Sequence, residues 1–219
     1  MSRIPGSAMG DLFADSGSTD ICDGAVLLHG FAAAEAAQLM EAVNSVFAQS
    51  PLRHMSTPGG HRMSVAMSNC GSYGWVTDRR GYRYEALDPE TGRSWPPMPK
   101  PIVELARRAA TAAGHAHFEP DACLVNRYAP GAKMSLHQDR DERDLSAPIV
   151  SVSLGLPATF LFGGPTRGER PRRIPLESGD VVVWGGPARL YFHGVAPLPE
   201  GEHPLTGSYR INLTLRRTR

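Results

Sequence analysis

The run His137-Gln138-Asp139 places an imidazole and a carboxylate two residues apart. In an extended strand, residues i and i+2 project from the same face, so the two side chains could hold one metal ion. The pair is weak evidence alone, because 8 His and 22 acidic residues among 219 give roughly 0.8 such pairs by chance. A second pair, His117 and Glu119, lies in a short polar segment, and we interpret it as a surface or loop pair.

A third candidate ligand, His193, ends the apolar and aromatic segment 190–193. A lone histidine in such a segment is most simply a hydrogen-bonded core residue. Together with His137 and Asp139, however, it predicts the facial triad of non-haem iron(II) oxygenases, which leaves three metal positions open. A catalytic zinc ion with one open position and a bound water is the alternative.

The C-terminal run 210–216, RINLTLR, alternates polar and apolar residues as a half-buried strand does. Its polar residues Arg210, Asn212, Thr214 and Arg216 would share one face. Buried guanidinium groups beside a metal require an anion, since guanidinium binds a carboxylate through two parallel hydrogen bonds. A dicarboxylate cosubstrate that also chelates the metal satisfies both groups, and a zinc hydrolase has no need of it. An exposed edge strand with charged residues is the alternative.

The remaining sequence predicts the elements that position these residues. Apolar spacing indicates amphipathic helices over 33–49 and about 101–113, separated by a Gly-, Pro- and Met-rich region that we expect to be an ordered functional loop. Short β-rich segments separated by Gly/Pro turns then predict an antiparallel sandwich. These segments are 123–128, 133–137, 149–154, 158–162, 172–176, 181–184, 190–193 and 208–215.

We therefore expect a mainly β (α+β) fold in one domain, residues 1–219. Within it, residues 1–20 would be a flexible N-terminus, 21–118 an N-terminal helical and loop extension, and 119–219 a jelly-roll core.

Composition restricts the classes of partner and compartment. The formal net charge is +1, so any nucleic-acid surface must be local. Three cysteines without a C-x-x-C spacing argue against a disulfide framework or a zinc ribbon. The sequence begins without the apolar segment of a secretory signal, and no apolar run approaches the length of a membrane span. We expect a cytoplasmic monomer that does not bind membranes.

Six longer runs give the chain a resemblance to the AlkB family of alkylation-repair dioxygenases, extending from about Asp11 to Arg216. This resemblance is far more specific than the His-x-Asp pair, and it implies a double-stranded β-helix core with a nucleotide-recognition lid around 50–90. The runs are TPGG at 57–60, MSVAM at 63–67, PDACLVNRYAPGAKMSLHQD at 120–139, APIVSVSLGLPA at 147–158, GDVVVWGG at 179–186 and HPLTGSYRINLTLR at 203–216.

The resemblance implies a role for each matching residue. His137, Asp139 and His193 would ligate Fe(II), and O2 would be the oxidant. The cosubstrate 2-oxoglutarate would be bound by Asn126, Tyr128, Arg210, Asn212 and Arg216, with Arg210 on its distal carboxylate. The substrate strand would be contacted by Met67, Trp75, Tyr82, Arg83, Tyr84, Asp141 and Arg167.

Two of these implied roles have a direct physical reason. Trp75 would stack on a base flipped out of its strand, because an indole face stacks with any base. Asp141, grouped with the catalytic residues, would favour cationic bases such as 1-methyladenine and 3-methylcytosine through charge attraction. The alternatives are that Trp75 anchors a loop onto the jelly roll and that Asp141 belongs to a solvated charged run, 139–144.

The implied activity is oxidative dealkylation of N-alkylated bases, a direct reversal repair that releases formaldehyde, succinate and CO2. The partner would be alkylated single- or double-stranded DNA, with RNA as an alternative. Two other functions stay open at this point. One is a 2-oxoglutarate dioxygenase that acts on a substrate other than nucleic acid. The other is a jelly-roll metal or ligand sensor without turnover, because the fold alone does not define function.

Overall fold

The computed structural model describes residues 17–219, which contain thirteen strands and two α-helices. The helices are α1 (Ala36–Gln49) and α2 (Lys100–Ala112). The strands are β1 (Ser18–Cys22), β2 (Ala25–Leu28), β3 (Ala66–Gly71), β4 (Gly74–Asp78), β5 (Gly81–Glu85), β6 (Ala122–Tyr128), β7 (Met134–His137), β8 (Ile149–Gly155), β9 (Ala158–Phe162), β10 (Arg172–Leu176), β11 (Val181–Trp184), β12 (His193–Val195) and β13 (Arg210–Arg216).

Two antiparallel sheets form the core. The larger has seven strands in the order β1-β2-β11-β8-β13-β6-β3, and the smaller has four in the order β10-β9-β12-β7. Eight of these strands, four from each sheet, form the double-stranded β-helix, which confirms the expected jelly roll. Phe160 and Phe162 of the smaller sheet contact Trp184 of the larger, with ring centroids 6.0 and 6.2 Å apart. Part of the interior between the sheets is therefore a shared apolar cluster.

Strand β13 lies in the middle of the larger sheet, between β8 and β6. All seven of its residues are buried, so the alternative of an exposed edge strand is wrong. Ile211, Leu213 and Leu215 join the cluster that includes the buried residues of both helices. By strand alternation, Arg210, Asn212, Thr214 and Arg216 face the other sheet. Strand β13 thus contributes apolar side chains to the cluster under the helices and polar side chains to the space between the sheets.

The helices cover the outer face of the larger sheet. Apolar residues of α1 (Leu39, Val43 and Val46) and of α2 (Ile102 and Leu105) are buried there, as their helical spacing predicts. Truncating one such Leu or Ile to Ala typically costs roughly 2–5 kcal/mol, so this packing contributes substantially to stability. Neither described helix is both long and apolar enough to cross a membrane.

Several sequence expectations differ from the structure. The expected flexible N-terminus falls mostly on residues 1–16, which lie outside the described residues, but Ser18–Cys22 form a strand paired with β2. The expected loop region contains β3, which pairs with β6 in the main sheet. Residues 190–192 are not a strand, since β12 begins at His193. Strands from both sides of the expected boundary at 118/119 share the larger sheet.

Candidate active site

Neighbouring strands of the smaller sheet bring the three candidate metal ligands together. His137 ends β7 and pairs in register with His193, the first residue of β12. The next residue, Gly194, lies so close to β7 that a Cβ atom there would be 2.6 Å from the carbonyl oxygen of Met134. Only glycine permits this approach, and it holds the two histidines side by side. Asp139 follows two residues after His137.

The ligand atoms form a compact cluster. The His137 Nε2 atom lies 3.7 Å from Asp139 Oδ1, and the His193 Nε2 atom lies 3.6 Å from Asp139 Oδ2. The ligand atoms of all three residues lie within 4.8 Å of one another. Within residues 17–219, this is the only group of three or more His, Cys, Asp or Glu with that geometry.

Backbone contacts orient both imidazoles for metal binding. The His137 Nδ1 atom lies 2.8 Å from the Ser135 carbonyl oxygen, and the His193 Nδ1 atom lies 3.0 Å from that of Tyr191. A carbonyl only accepts, so each Nδ1 must carry the proton, and each Nε2 lone pair is free for a metal. Burial, and then the neighbouring His193, lower the pKa of His137 to about 4, so its ring is neutral at pH 7.

Asp139 is held in its ionised form by Arg216. Burial alone would raise its pKa, but the Arg216 guanidinium and then His193 hold the pKa of Asp139 well below its usual range. Arg216 donates to Asp139 Oδ2 from Nε at 3.0 Å and from Nη2 at 2.5 Å. Arg216 was expected among the 2-oxoglutarate ligands. Its guanidinium pairs with the candidate metal-binding carboxylate of Asp139 and also lines the adjoining chamber, so its role toward 2-oxoglutarate stays a prediction.

Behind the triad lies a small chamber between the two sheets, lined by all five expected cosubstrate residues: Asn126, Tyr128, Arg210, Asn212 and Arg216. Arg210 is 1 % exposed. Its Nη2 donates to Ser153 Oγ at 2.9 Å, but Nε and Nη1 have no hydrogen-bond partner among residues 17–219. A buried cation with two free N–H donors is a binding site for an anion.

The two asparagines of this chamber differ in what they leave free. Asn212 Nδ2 donates to Ser151 Oγ and to the Val152 carbonyl, at 2.9 and 3.0 Å, so it is fixed by the sheet. Asn126 Nδ2 donates to Asn212 Oδ1 at 3.2 Å, while Asn126 Oδ1 lacks a partner in the described part of the chain. Asn126 therefore retains a polar atom for a ligand.

A larger cavity of about 750 Å³ opens in front of the triad. This volume is within the range of small-molecule pockets. The cavity shares four wall residues with the chamber behind the triad: Leu124, Met134, His137 and Arg216. A ligand in each compartment would meet at the candidate metal. Of the residues expected to contact substrate, Met67, Trp75, Tyr82, Asp141 and Arg167 line this cavity.

The β4–β5 hairpin supplies the aromatic wall. The Trp75 and Tyr82 rings stack with centroids 5.7 Å apart and planes at 18°. The indole Nε1 donates to Asp141 Oδ2 at 2.9 Å, and Asn69 fixes the Trp75 backbone through two hydrogen bonds of 3.0 Å. Trp75 is thus held at the cavity wall, half-buried against the edge of the core. Burial raises the pKa of Asp141, although the Trp75 hydrogen bond opposes this.

Arg83 and Tyr84, which were also expected to contact the substrate strand, are not among the residues that line the cavity. Arg83 pairs with Val76 across the hairpin, on the face opposite Trp75, and forms ion pairs with Asp78 and Glu85. Tyr84 is the cross-strand partner of Trp75 in the hairpin, but its hydroxyl donates to Glu142 Oε1 at 2.7 Å, behind the cavity. Alternation therefore places Arg83 on the face opposite Tyr82, whereas Tyr84 shares the face of Tyr82 and is set apart by the hydrogen bond of its hydroxyl to Glu142.

Exposed cations surround the cavity despite the near-neutral net charge. Arg62, Lys133, Arg140 and Arg167 line it and are exposed. The Arg167 guanidinium carbon lies 5.1 Å from the centroid of the Phe192 ring, so that ring supports its position. This local cationic rim is the kind of surface that a phosphate backbone binds.

Sequence reasoning missed Glu142, Arg189 and Ser153. Glu142 and Arg189 are buried behind the triad and form an ion pair at 3.2 Å. Glu142 reads in sequence as part of a solvated charged run, and Arg189 follows a Gly-Pro turn, so neither carried a signal. The other His-x-Glu pair does not form a cluster, because Glu119 pairs with Arg107 on the surface and His117 adopts a turn conformation at φ 63°.

Comparisons with known proteins agree with this geometry. The family model of the 2OG-Fe(II) oxygenase superfamily matches residues 24–216. Alpha-ketoglutarate-dependent dioxygenase AlkB of Escherichia coli is 59% identical over 208 residues, covering 94% of this chain and 96% of that protein. The tRNA demethylase abh1 of Schizosaccharomyces pombe is 32% identical, over 66% of this chain and 52% of its own length. The solved structure of OsALKBH1 has a TM-score of 0.81 at 29% identity, covering 92% of this chain and 100% of that chain.

Proposed function

Because this chain belongs to the 2OG-Fe(II) oxygenase superfamily, and within it to the AlkB family, we propose that it oxidatively removes alkyl groups from bases in nucleic acid. It is an Fe(II)- and 2-oxoglutarate-dependent dioxygenase. The proposed reaction converts 2-oxoglutarate and O2 to succinate and CO2, and it releases the N-methyl carbon of a lesion as formaldehyde.

The single observation that carries the cosubstrate assignment is Arg210. Its buried guanidinium has two unpartnered N–H donors, and it lines a chamber whose other wall residues include His137 and His193. A dicarboxylate with one end on Arg210 and the other at the triad satisfies both groups. The donor set fits iron, because two imidazoles and one carboxylate leave coordination positions open for a cosubstrate and dioxygen. A catalytic zinc site requires no such buried cation.

When bound, Fe(II) with 2-oxoglutarate and O2 supplies the oxidation that hydroxylates the alkyl carbon attached to the base nitrogen. The protein's own residues hold and orient the reactants. His137 and His193 keep their protons on Nδ1 and offer Nε2, Arg216 holds Asp139 ionised, and Arg210 fixes the far end of the cosubstrate.

The proposed substrate site is the larger cavity. Its aromatic wall, Trp75 and Tyr82, offers a stacking surface to a base displaced from its strand. Asp141 places a carboxylate in the same cavity and would favour a base that carries a positive charge from alkylation. The exposed cations at the rim would hold the phosphates beside that base.

We infer that the partner is DNA with alkylated bases, in single or double strands, and that RNA is an alternative. One relative is a tRNA demethylase, which is why RNA is kept as the alternative. The enzyme would act as a monomer, since one chain supplies every group named above. Three free thiols suit a reducing compartment such as the cytoplasm.

The test compares Trp75→Ala with Trp75→Phe on single-stranded oligonucleotides that contain one 1-methyladenine. Phe keeps a stacking ring but loses the hydrogen bond to Asp141, whereas Ala loses both. If base stacking binds the lesion, Ala should raise KM about tenfold or more, and Phe should raise it less, because base–aromatic stacking is worth roughly 1–3 kcal/mol. Unchanged kinetics in Trp75→Ala, with demethylation intact, would refute the nucleotide site and favour a different substrate class.

A further inference from the structure

A buried carboxylate, Glu142, connects the metal site to the substrate-binding hairpin. Its side chain is 1 % exposed. It pairs with Arg216 Nε at 3.2 Å and with Arg189 Nη2 at 3.2 Å, and it accepts a hydrogen bond from the Tyr84 hydroxyl at 2.7 Å. Three residues distant in sequence therefore converge on one carboxylate that is not itself a candidate metal ligand.

The charges of this cluster balance before any metal binds. Asp139 and Glu142 carry two negative charges, and Arg189 and Arg216 carry two positive charges. Arg216 contacts both carboxylates, and its Nη2 lies 2.5 Å from the Asp139 oxygen that also faces His193. A divalent cation bound to Asp139 would repel the adjacent guanidinium. Glu142 supplies the second anion that keeps Arg216 in place when Asp139 binds the metal.

Arg189 completes the cluster from the other side. Its Nη1 donates to the Asp139 backbone carbonyl at 2.7 Å, and its Nε donates to the Ala147 carbonyl at 2.9 Å. Arg216 thus holds the Asp139 side chain and Arg189 holds its backbone. Glu142 forms an ion pair with each of these two arginines. Removing this carboxylate leaves two buried guanidinium groups next to a cationic metal.

We propose that Glu142 is a positioning residue that holds Arg216 and Arg189 on Asp139 and, through Tyr84, ties the Trp75 hairpin to the metal site. Only the link through Tyr84 to the hairpin rests on the proposed function. The effect on Asp139 does not, because metal binding can be measured without a nucleic acid. Burial raises the pKa of Tyr84 well above its usual value, so its hydroxyl stays a neutral donor to Glu142.

Two conservative substitutions separate the two links. Glu142→Gln keeps the volume and an acceptor for Tyr84 but removes the charge that balances the arginines. Tyr84→Phe keeps the charge but removes the hydrogen bond to the hairpin. Asp180→Asn is the matched control, because Asp180 is also a buried carboxylate, which accepts from Gly30 and Glu177 N–H groups at 2.8 Å, away from the triad.

The first readout is iron(II) affinity of the full-length protein, stripped with a chelator and titrated under nitrogen. Trp184 reports binding by fluorescence quenching, since its ring lies 4.9 Å from that of His193. Outer-shell partners of metal ligands typically contribute 10- to 100-fold to metal affinity. We expect Glu142→Gln to raise the iron dissociation constant by about 10- to 100-fold and Asp180→Asn to change it less than about threefold.

The second readout is KM for an oligonucleotide with 1-methyladenine at saturating iron. Tyr84→Phe should raise it about two- to tenfold, the range for one lost hydrogen bond, and leave the iron affinity near that of the wild type. Glu142→Asp, which keeps the charge on a shorter side chain, should lose less iron affinity than Glu142→Gln and serves as the second variant if Gln impairs folding.

An iron affinity in Glu142→Gln that equals the wild type, or that falls only as far as in Asp180→Asn, would overturn the metal half of the proposal. Unchanged KM in Tyr84→Phe would overturn the hairpin half. A wild-type protein that binds iron tightly but leaves the methylated base unchanged would contradict the proposed function instead, without affecting the iron comparison.

Discussion

Replacing Arg210 with Met should increase the stability of the ligand-free protein and abolish its response to 2-oxoglutarate. The wild-type guanidinium is fully buried, keeps one hydrogen bond to Ser153, and leaves two N–H groups unpartnered in the described chain. Burial lowers the pKa of Arg210, opposed by the neighbouring Tyr128, which shows how unfavourable the charge is there. Met matches the aliphatic part of the side chain and carries no charge.

The magnitude follows from these contacts. Relieving a buried, poorly paired charge typically gains roughly 1–4 kcal/mol, and losing the Ser153 hydrogen bond costs about 1.5 kcal/mol. The difference ranges from about −0.5 to +2.5 kcal/mol, and we expect a net stabilisation near its middle, about 1 kcal/mol, which is a Tm increase of roughly 2–4 °C for a chain of this size. In wild type, 2-oxoglutarate at 100 times its Kd should add about 2.7 kcal/mol, and in Arg210→Met it should add almost nothing.

The assay is thermal unfolding of the chelator-treated protein, alone and with 2-oxoglutarate plus manganese(II), which occupies the metal site without turnover. The predicted result is a reversal of order: the variant is more stable without ligand, and the wild type is more stable with it. Arg127→Met is the control. The Arg127 guanidinium carbon lies 4.6 Å from the Tyr209 ring centroid, much as that of Arg210 lies 5.0 Å from the Tyr128 ring centroid, but Arg127 does not line the chamber. A variant that is less stable without ligand and still gains the full ligand shift would refute the reasoning.

Three further predictions concern the candidate metal triad, the Asp141 carboxylate in the substrate cavity, and the β4–β5 hairpin. His137→Ala should lose iron binding and base repair together, and succinate release coupled to demethylation in this variant would contradict the triad. Asp141→Asn should reduce the preference for cationic 1-methyladenine over neutral 1-methylguanine about tenfold in kcat/KM, since even a partly screened charge pair is worth more than about 1.4 kcal/mol; an unchanged ratio would exclude charge recognition. Arg83→Ala should leave kcat and KM unchanged, because its guanidinium faces away from the cavity, and should lower Tm slightly at neutral pH. Hydrogen bonding from Arg83 lowers the pKa of Asp78 below 3.8, so this stabilisation is present above pH 3.8 and is lost as the pH falls below it; a Tm difference that grows in acid would contradict the assignment.

The sequence predicted the features that follow from the local alternation and spacing of residues along the chain. The alternation of β13 identified Arg210 and Asn212 as one face, and strand spacing placed His137 beside Asp139. The first inference depends only on local backbone geometry, which a strand imposes wherever it lies in the fold. The second holds although β7 ends at His137 and Asp139 lies just beyond the strand. The position of β13 at the centre of the sheet required long-range pairing, and the sequence alone left an edge strand possible.

The register of the β4–β5 hairpin and the burial of the Glu142–Arg189 ion pair could not be predicted from the local sequence pattern. The consecutive residues Tyr82, Arg83 and Tyr84 carry no sequence signal that distinguishes their surroundings. In the structure, Arg83 lies on the other face of the hairpin from the two tyrosines, and the Tyr84 hydroxyl contacts Glu142. Glu142 lies in a charged run that suggests solvent. Its burial depends on Arg189, which follows it by 47 positions and reaches the same place only through the jelly-roll topology.

The most direct measurement of the central claim is product stoichiometry in a single reaction. The wild-type protein, iron(II), 2-oxoglutarate and an oligonucleotide with one 1-methyladenine are incubated in air, and succinate, formaldehyde and the oligonucleotide mass are quantified. The account predicts equal amounts of succinate, formaldehyde and demethylated strand, with none of the three products when the metal is chelated. Succinate formed without loss of the methyl group, or demethylation that persists without 2-oxoglutarate, would contradict it.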